Sequence, residues 1–445
     1  MRVIIVGAGE VGSNIATSLA GSHDVIVIDI DPEKVEDLTY SSDVMAIEGN
    51  GATLERLYDA GIDQADMLIA STDNDKTNLV ACETAKTVSD VFTTARVRNA
   101  NFLDTWTQSE GAFNVNFMVS TNLLTANKIA HVIGLPAAVE VDMFAGGLVQ
   151  MAEFEIPVES EIAGQSVEEA DRFDALTFAG LIKDGEAVIP RGQTRIEAGN
   201  KVIVIGRPNS VQEFSRTIAP AKTSEESQDI VVVGGGDIGY HTAKLLEERG
   251  LEPRLIEQNA DRCRELAEDL PGTILLEHDA TDVDFLIGEK IDQADAVIAT
   301  INSDEKNLLV SLLAKSIGVG RTVAVVEEGE YTTLFEAVGI NVAINPRKAT
   351  AEEIIRFTQQ GQVENLSLIE GHQAEVLEIE IGKESVFTGR PIHESVTDLP
   401  SGIIIGAITR DQEFIVPRGE TVIEPGDHVV LFVAADALAA VMDIV

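Results

Sequence analysis

The chain has 445 residues, 44% of them apolar, and its 75 Asp and Glu residues against 32 Lys and Arg give a formal net charge of −43. At roughly 150 residues per domain, this length predicts about three domains, or four if they are small. The charge argues against nucleic acid as a partner, because phosphate binding requires clustered Lys and Arg, and it disfavours an anionic membrane surface for the same reason.

The sequence predicts a cytoplasmic protein with no direct membrane insertion. No window approaches the roughly 18 uninterrupted apolar residues of a spanning helix, and no charged start followed by a small-residue cleavage site marks export. The acidic residues are dispersed and Lys is scarce, a pattern typical of proteins that work in concentrated salt, where self-repulsion is screened. The alternative is an ordinary acidic cytoplasmic protein.

The patterns of the first 97 residues alternate between the periods of strands and helices. In chain order they predict strand 2–6, helix 10–20, strand 24–29, helix 33–40, strand 44–47, helix 53–60, strand 66–70, helix 75–88 and strand 92–97. Short β-branched runs separated by helices of this length are typical of βαβ units. We therefore predict an α/β fold, a Rossmann-like parallel sheet with helices on both faces.

The sequence repeats itself once. RVIIVGAGEVG at 2–12 recurs as DIVVVGGGDIG at 229–239, and GEAVIPRG at 185–192 recurs as QEFIVPRG at 412–419. Each half therefore contains a larger unit followed by a smaller one. The smaller units have short strands at 152–156, 202–205, 376–381 and 429–433, with Gly/Pro turns between them. They are predicted to be small α+β modules with antiparallel pairing.

These repeats define the expected domain bounds. They are a first Rossmann-like lobe at 1–135, a first small lobe at 136–218, a linker at 219–228, a second Rossmann-like lobe at 229–362 and a second small lobe at 363–445. The linker sequence APAKTSEESQ is rich in Ala, Pro, Ser and Glu, as is typical of solvated connections.

A glycine motif follows the first strand directly and precedes the first helix. It comprises Gly7, Ala8, Gly9, Glu10, Val11 and Gly12 and fits G-x-G-x-x-G. In this context Gly7 allows the tight turn, Gly9 lets the backbone approach a pyrophosphate, and Gly12 lets the helix lie close to the strand. Asp29 ends the second strand, where an acid accepts from ribose hydroxyls and repels a 2′-phosphate. NAD(H) is therefore favoured over NADP(H).

The second half repeats this arrangement, with Glu257 in the place of Asp29. Its glycine motif comprises Gly234, Gly235, Gly236, Asp237, Ile238 and Gly239. Loops after the later strands are expected to line the same clefts, since ligands of open parallel sheets lie beyond the carboxyl ends of strands. These loops contribute Gly51, Ala52, Thr72 and Asp73 in the first half, and Asp279 and Ala280 in the second. Arg96 ends the fifth strand and could reach the phosphates, or could be a surface arginine.

Catalytic residues are not indicated. The seven histidines lie outside any repeated motif, the two cysteines are isolated, and no metal-ligand spacing is present. Tyr240 and Lys244 match the Tyr-x-x-x-Lys pair of short-chain dehydrogenases, but they lie in the first helix of the lobe, where that family does not place the pair. Two nucleotide folds without acid/base groups favour a sensor over an NAD-dependent oxidoreductase or a scaffold with a structural nucleotide.

The sequence resembles the TrkA family, the cytosolic nucleotide-binding subunits of Trk potassium-uptake systems, built from tandem RCK (KTN) domains. The resemblance covers essentially the whole chain and is carried by the glycine motif with Asp29, by IDQADMLIASTDNDKTNLVAC at 62–82, whose start recurs at 291–299, by Ala95-Arg96-Val97, and by the duplicated PRG modules. It implies a homotetrameric ring of RCK domains, peripheral to the inner face of the membrane and docked under a TrkH-type potassium translocator. Nucleotide binding would reshape this ring and alter the gate.

The resemblance also implies which residues bind nucleotide, namely those named above in each half. In the second half Val325 occupies the place of Arg96 and is followed by Glu327 and Glu328. Acids beside a phosphate cleft put pyrophosphate binding there in doubt, so the two sites could differ in ligand or affinity, or the second could be empty. NAD(H) is the ligand expected at the first site, with ATP or ADP as the alternative.

Overall fold

The computed structural model describes residues 1–109, 111–183, 185–219, 228–358, 363–369, 374–383, 385, 387–395, 402–438 and 441. The predicted linker at 219–228 lies, apart from its two end residues, outside these ranges. Among the helices of the described part, none combines the length and the apolar character that crossing a membrane requires.

The first Rossmann lobe is built on a six-stranded parallel sheet. Its elements are β1 (Arg2–Val6), α1 (Glu10–Ala20), β2 (Asp24–Asp29), α2 (Pro32–Ser41), β3 (Met45–Glu48), α3 (Leu54–Asp59), β4 (Met67–Ala70), α4 (Asp75–Lys86), β5 (Phe92–Val97), α5 (Ala100–Gln108), β6 (Phe117–Ser120) and α6 (Thr121–Ile133). The strand order is β3-β2-β1-β4-β5-β6 with parallel neighbours. The order reverses between β1 and β4, where doubly wound sheets bind ligands.

The nine elements predicted for this lobe are confirmed. The periodicity did not indicate α5, β6 or α6, and β6 is a strand of only four residues. Strong local signals mark the elements that were predicted: Asp31 caps α2 by accepting from the Glu33 N–H, and Pro32 takes the first helical position. Such caps satisfy N–H groups that the helix itself leaves unpaired.

The first small lobe is an antiparallel sheet with two helices. Its elements are β7 (Ala138–Phe144), β8 (Val149–Glu155), α7 (Val167–Ala170), β9 (Leu176–Lys183), β10 (Glu186–Val188), β11 (Lys201–Gly206) and α8 (Pro208–Ile218). The strand order is β10-β9-β11-β8-β7. All pairs are antiparallel, as predicted.

The second Rossmann lobe repeats the first. Its elements are β12 (Ile230–Val233), α9 (Asp237–Glu248), β13 (Arg254–Glu257), α10 (Ala260–Asp269), β14 (Ile274–Glu277), α11 (Val283–Gly288), β15 (Ala296–Ala299), α12 (Asp304–Ile317), β16 (Thr322–Val325), α13 (Thr332–Ala337), β17 (Val342–Ile344) and α14 (Pro346–Thr358). The strand order β14-β13-β12-β15-β16-β17 is that of the first lobe. Both sheets are thus the parallel sheets that the sequence predicts.

The second small lobe contains β18 (Val363–Ile369), β19 (Ala374–Glu380), α15 (Ile392–Ser395), β20 (Ile403–Arg410), β21 (Glu413–Ile415) and β22 (His428–Ala434). Its strand order, β18-β19-β22-β20-β21, matches that of the first small lobe. Each repeat of the sequence is therefore a repeat of topology.

The two Rossmann lobes form one compact unit, and the two small lobes form another. One compact unit comprises Met1–Ala130 with Glu225–Ile355, which contain the two Rossmann lobes. The other comprises His131–Ser224 with Arg356–Val445, which contain the two small lobes. Each unit is made from both halves of the chain, so that neither half forms a unit by itself.

Candidate nucleotide-binding sites

The first glycine loop joins β1 to α1 at the carboxyl edge of the sheet. Gly7 has a φ of +107°, which favours glycine, and a Cβ there would lie 3.0 Å from the Thr72 backbone N. A Cβ at Gly12 would lie 1.8 Å from the Gly7 carbonyl oxygen, whereas one at Gly9 would meet nothing within 4 Å. Gly7 and Gly12 are thus required by the protein itself, and Gly9 leaves the backbone open to a ligand.

The second glycine loop has the same geometry. Gly234 has a φ of +101°, and a Cβ at Gly239 would lie 1.9 Å from the Gly234 carbonyl oxygen. Gly236 again has open space around it. Both helices that follow, α9 and α1, therefore direct free N–H groups at an accessible surface, the arrangement that binds phosphates.

The acid at the end of the second strand braces each loop. Asp29 accepts from the backbone N–H groups of Ala8 and Asp31, at 2.5 and 2.8 Å. Glu257 does the same for Gly235 and Asn259, at 2.7 and 2.8 Å. The carboxylate predicted to accept from ribose therefore also holds the glycine loop in position, a role that the sequence does not reveal.

A fully buried asparagine ties the next two strands together in each half. Asn78 accepts from the Thr72 N–H at 2.9 Å and donates to the Arg96 carbonyl at 2.8 Å. Asn307 makes the same bonds to Ile301 and Val325, both at 2.8 Å. Asn78 and Asn307 stand at corresponding positions of the two repeats. The sequence does not show their role in fixing the loop after the fourth strand.

Arg96 is a buried cation next to the loop after β4, which contains Ser71 and Asp73. It is 3% exposed, and it donates from Nε to the Thr121 hydroxyl and from Nη1 to the Ser71 carbonyl and to Asp73, at 3.1, 3.3 and 3.3 Å. Its Nη2 is buried without a hydrogen-bond partner among the described residues. Burial lowers the pKa of Arg96, against the neighbouring charge of Asp73. Arg96 therefore has one nitrogen, Nη2, left to donate to an anion, and it is not a surface arginine.

These residues surround a cavity of about 1090 Å³ at the carboxyl edge of the first sheet. Of the residues predicted from the sequence, it is lined by Gly7, Ala8, Gly9, Glu10, Val11, Asp29, Gly51, Thr72, Asp73 and Arg96. Gly12 and Ala52 are not in its wall. Gly12 serves the contact between α1 and the loop, and Ala52 packs against the hydrophobic core.

A second cavity of about 500 Å³ lies at the corresponding edge of the second sheet. Of the predicted residues, it is lined by Gly234, Gly236, Asp237, Ile238, Glu257, Asp279 and Ala280. Gly235 and Gly239 are not in its wall. The Asp279 carboxylate accepts from the Thr281 N–H and hydroxyl, and this lowers the pKa of Asp279. The second cavity is about half as large as the first.

Each cavity also contains residues of the other half, which sequence reasoning missed. Arg347 and the segment 328–330 line the first cavity, and Arg98, Thr121 and Asn122 line the second. The exchange follows from the two Rossmann lobes forming one unit. No local motif marks these residues, and only their position after repeated strands could have signalled them.

The two acids that argued against pyrophosphate binding at the second site, Glu327 and Glu328, both lie next to Arg347. Glu328 lines the first cavity and not the second, while Glu327 lines the second. Their carboxylates lie 3.5 and 3.7 Å from Arg347 nitrogens. The second cavity also has Lys306 and Arg98 in its wall, so cations are present there although Val325 replaces Arg96. The expected charge difference between the sites is therefore smaller than the sequence suggests.

The dehydrogenase-like pair is not arranged for catalysis. Tyr240 and Lys244 lie one turn apart on α9, with the Lys244 ammonium 5.9 Å from the centre of the Tyr240 ring, and neither lines either of the two cavities. Among the described histidines only His278 lines one of these two cavities. It is stacked on Phe285 and bound to Asp282 at 3.0 Å.

Family models match the chain twice over. The TrkA-N domain model matches residues 3–117 and 230–346, and the TrkA-C domain model matches residues 151–219 and 376–445. The chain is also similar in fold to the GsuK channel bound to NAD, with a TM-score of 0.62 and 17% identity, covering 100% of this chain and 78% of that one. At this identity the likeness concerns the fold alone.

Curated relatives extend over the full length. The Trk system potassium uptake protein TrkA homolog 1 of Methanosarcina mazei is 36% identical over 449 residues, covering 99% of each chain. The TrkA homolog of Archaeoglobus fulgidus is 37% identical over 444 residues, covering 100% of each. With both domain models matched in tandem, the chain belongs to the TrkA family of Trk system potassium uptake proteins.

Proposed function

We propose that this protein is the nucleotide-sensing regulatory subunit of a Trk-type potassium-uptake system. The observation that carries the proposal is the pair of glycine-loop cavities, each with open helix N–H groups and basic side chains. The Tyr240 and Lys244 pair, which would suggest a dehydrogenase, lies outside both cavities. A nucleotide that binds one conformation of such a cavity more tightly than another shifts the balance between the two conformations.

The first site binds NAD(H) in this proposal, with ATP or ADP as the alternative. Asp29 disfavours a 2′-phosphate, and Nη2 of Arg96, which has no partner among the described residues, supplies a donor for a phosphate oxygen. The first cavity is about twice as large as the second, at 1090 against 500 Å³, which favours a dinucleotide in the first and a smaller nucleotide in the second. The GsuK channel, which has the same fold, has been solved bound to NAD.

A homotetramer under a TrkH-type translocator, at the inner face of the membrane, is the assembly that we propose. Apolar side chains are exposed at corresponding positions of the two Rossmann lobes: Tyr58 and Val80 in the first, and Ile287 and Leu309 in the second, each about half exposed. In the proposed ring, contacts between copies would cover these side chains. Ligand-dependent change in the ring would then alter the gate.

Thermal-shift titration with NAD, NADH, ATP and ADP in concentrated potassium chloride tests nucleotide binding. We expect NADH to raise the melting temperature. The Gly12→Ala variant should abolish this shift, because a Cβ at position 12 would overlap the Gly7 carbonyl. Gly21→Ala is the matched control, because a Cβ there meets nothing within 4 Å. No shift with any of the four nucleotides would refute the proposal, and turnover of NADH by the protein alone with candidate substrates would favour an enzyme.

Potassium flux through a TrkH-type translocator, reconstituted in vesicles with this protein, tests regulation. We expect the flux to change when nucleotide is added and to be insensitive to nucleotide with the Gly12→Ala, Gly239→Ala double variant. A flux that responds to nucleotide in the absence of this protein would place the sensor in the translocator instead.

A further inference from the structure

Glu10, the first residue of α1, is held by the second half of the chain. Its carboxylate accepts from the Arg347 guanidinium at 3.0 Å and from the Asn345 amide at 3.3 Å. A Cβ at Gly329 would lie 2.5 Å from Glu10 Oε1, so the second half closes around this side chain. The acid nearest to the phosphate-binding end of α1 therefore has its charge balanced by a residue of α14.

Arg96 is connected to α14 as well, through two threonine hydroxyls. Its Nε donates to the Thr121 hydroxyl at 3.1 Å, and the Thr121 hydroxyl lies 3.1 Å from that of Thr350. Both threonines are buried, and Thr350 lies one turn after Arg347 on α14. Two separate polar contacts thus join the first cavity to the first turns of α14.

Arg347 is surrounded by more negative charge than one cation neutralises. Carboxylates of Glu10, Glu327 and Glu328 lie within 3.7 Å of its nitrogens. Its Nε lies 3.7 Å from Glu327 and has no hydrogen-bond partner among the described residues. A phosphate at the N-terminus of α1 would add charge next to Glu10 and would itself be a strong acceptor for a guanidinium. Arg347, whose side chain is 22% exposed, lines this cavity and can serve either anion.

We propose that Arg347 is a phosphate-binding residue of the first site supplied by the second half, and that Glu10 competes with the nucleotide for it. The proposal rests on nucleotide binding at the first site. Occupancy exchanges the Arg347–Glu10 ion pair for an Arg347–phosphate pair. Since Arg347 lies in the first turn of α14, the exchange couples nucleotide binding at the first site to a helix of the second half.

The corresponding contact at the second site has no such exchange. Asp237 takes the place of Glu10, and its partner from the first half is the neutral Asn122, at 3.2 Å. Loss of a neutral amide removes no cation from the second cavity. Asn122→Ala is therefore the matched control for substitutions at Arg347.

The test measures NADH affinity of the full chain by calorimetry, with hydrogen exchange of segments 7–14, 234–241 and 346–352 to assign each effect to its site. We expect Arg347→Gln to weaken binding at the first site about tenfold and Glu10→Gln to strengthen it severalfold. In the double variant, the gain from Glu10→Gln is expected to disappear. In the wild type NADH should change exchange in 346–352, and with Arg347→Gln it should not.

Three outcomes would decide against the exchange. Unchanged affinity with Arg347→Gln overturns it, as does an equal gain from Glu10→Gln with and without Arg347, because competition requires that the two effects be coupled. If Asn122→Ala weakened NADH binding at the first site as much as Arg347→Gln does, the contacts between the two lobes would support the site only structurally, and Arg347 would not bind the phosphate. Wild-type protein without protection of 7–14 by any nucleotide would refute the proposed function as well.

Discussion

Gly180 lies against the ring of Phe432, so closely that a Cβ on Gly180 would be 2.7 Å from Cζ of that ring. The reciprocal contact exists between Gly406 and Ile205, where a Cβ would lie 2.5 Å from the Ile205 Cδ1. Gly180 lies in β9 and Gly406 in β20, at positions one residue apart in the alignment of the two repeats, where Ala407 corresponds to Gly180. The two small sheets therefore share one hydrophobic core, and glycine sets their distance.

Gly180→Ala is expected to destabilise the protein by about 1–3 kcal/mol, because the added methyl group overlaps Phe432 in a core that has no room for it. Denaturant unfolding measures the change. Gly382→Ala is the control, since a Cβ at Gly382 meets nothing within 4 Å. Equal effects of both substitutions would show that the contact with Phe432 is not responsible.

NADH is expected to bind the first site more tightly than NADPH, because the Asp29 carboxylate accepts from ribose and repels a 2′-phosphate. Asp29→Ser should reduce this preference. Because Asp29 also accepts from the Ala8 N–H, we further expect the variant to lose affinity for both cofactors. Calorimetric titration of both cofactors is the measurement, and a wild-type preference for NADPH would contradict this role of Asp29.

Arg96→Met is expected to weaken nucleotide binding at the first site by about 1.5–3 kcal/mol, the usual worth of a charged hydrogen bond. Val325→Ala, at the corresponding place of the second half, should leave nucleotide affinity nearly unchanged. The full chain is needed for this comparison, because each cavity contains residues of the other half. Equal affinities at both sites with no loss from Arg96→Met would exclude Arg96 from phosphate binding.

Stability is expected to depend on pH through Glu375, whose pKa burial raises to about 7. The unfolded chain has a value of about 4.3, so the folded state binds the extra proton and the contribution of Glu375 is lost as the pH rises from about 4.3 to about 7. The first half has Gln150 at the corresponding position of β8. Glu375→Gln should therefore stabilise the protein by about 1–3 kcal/mol at pH 8 and by little at pH 4. Unfolding at both values is the measurement, and an equal effect at both would contradict the shift.

Salt is expected to control assembly. A charge of −43 per chain brings like charges together at every contact between copies, and the Debye length falls from about 30 Å at 0.01 M to about 3 Å at 1 M salt. We expect a tetramer in molar potassium chloride that dissociates below a few tenths molar. Light scattering across a salt series tests this, and an unchanged mass at about 0.05 M would mean that the acids avoid the contacts.

Much of the fold could be predicted because its signals are local. The turn at Gly7 requires a positive φ, helix α1 begins directly after it, and Asp29 ends β2, all within contiguous segments whose pattern is legible in the sequence. The internal repeat doubled each of these signals. The sequence thus determined the two parallel sheets, the glycine loops and the acids at the ends of the second strands, whereas the bracing of the loops by these acids came from the structure.

The tertiary structure alone decided how the lobes pair and which residues complete each cavity. Arg347 and Glu10 are 337 positions apart, and a single arginine after a strand has no local pattern that would distinguish it from a surface residue. Burial likewise separated Arg96, which the sequence left open, from the exposed arginines. The physical reason is that a contact between distant segments depends on where two folded surfaces meet, and no short stretch of sequence encodes that position.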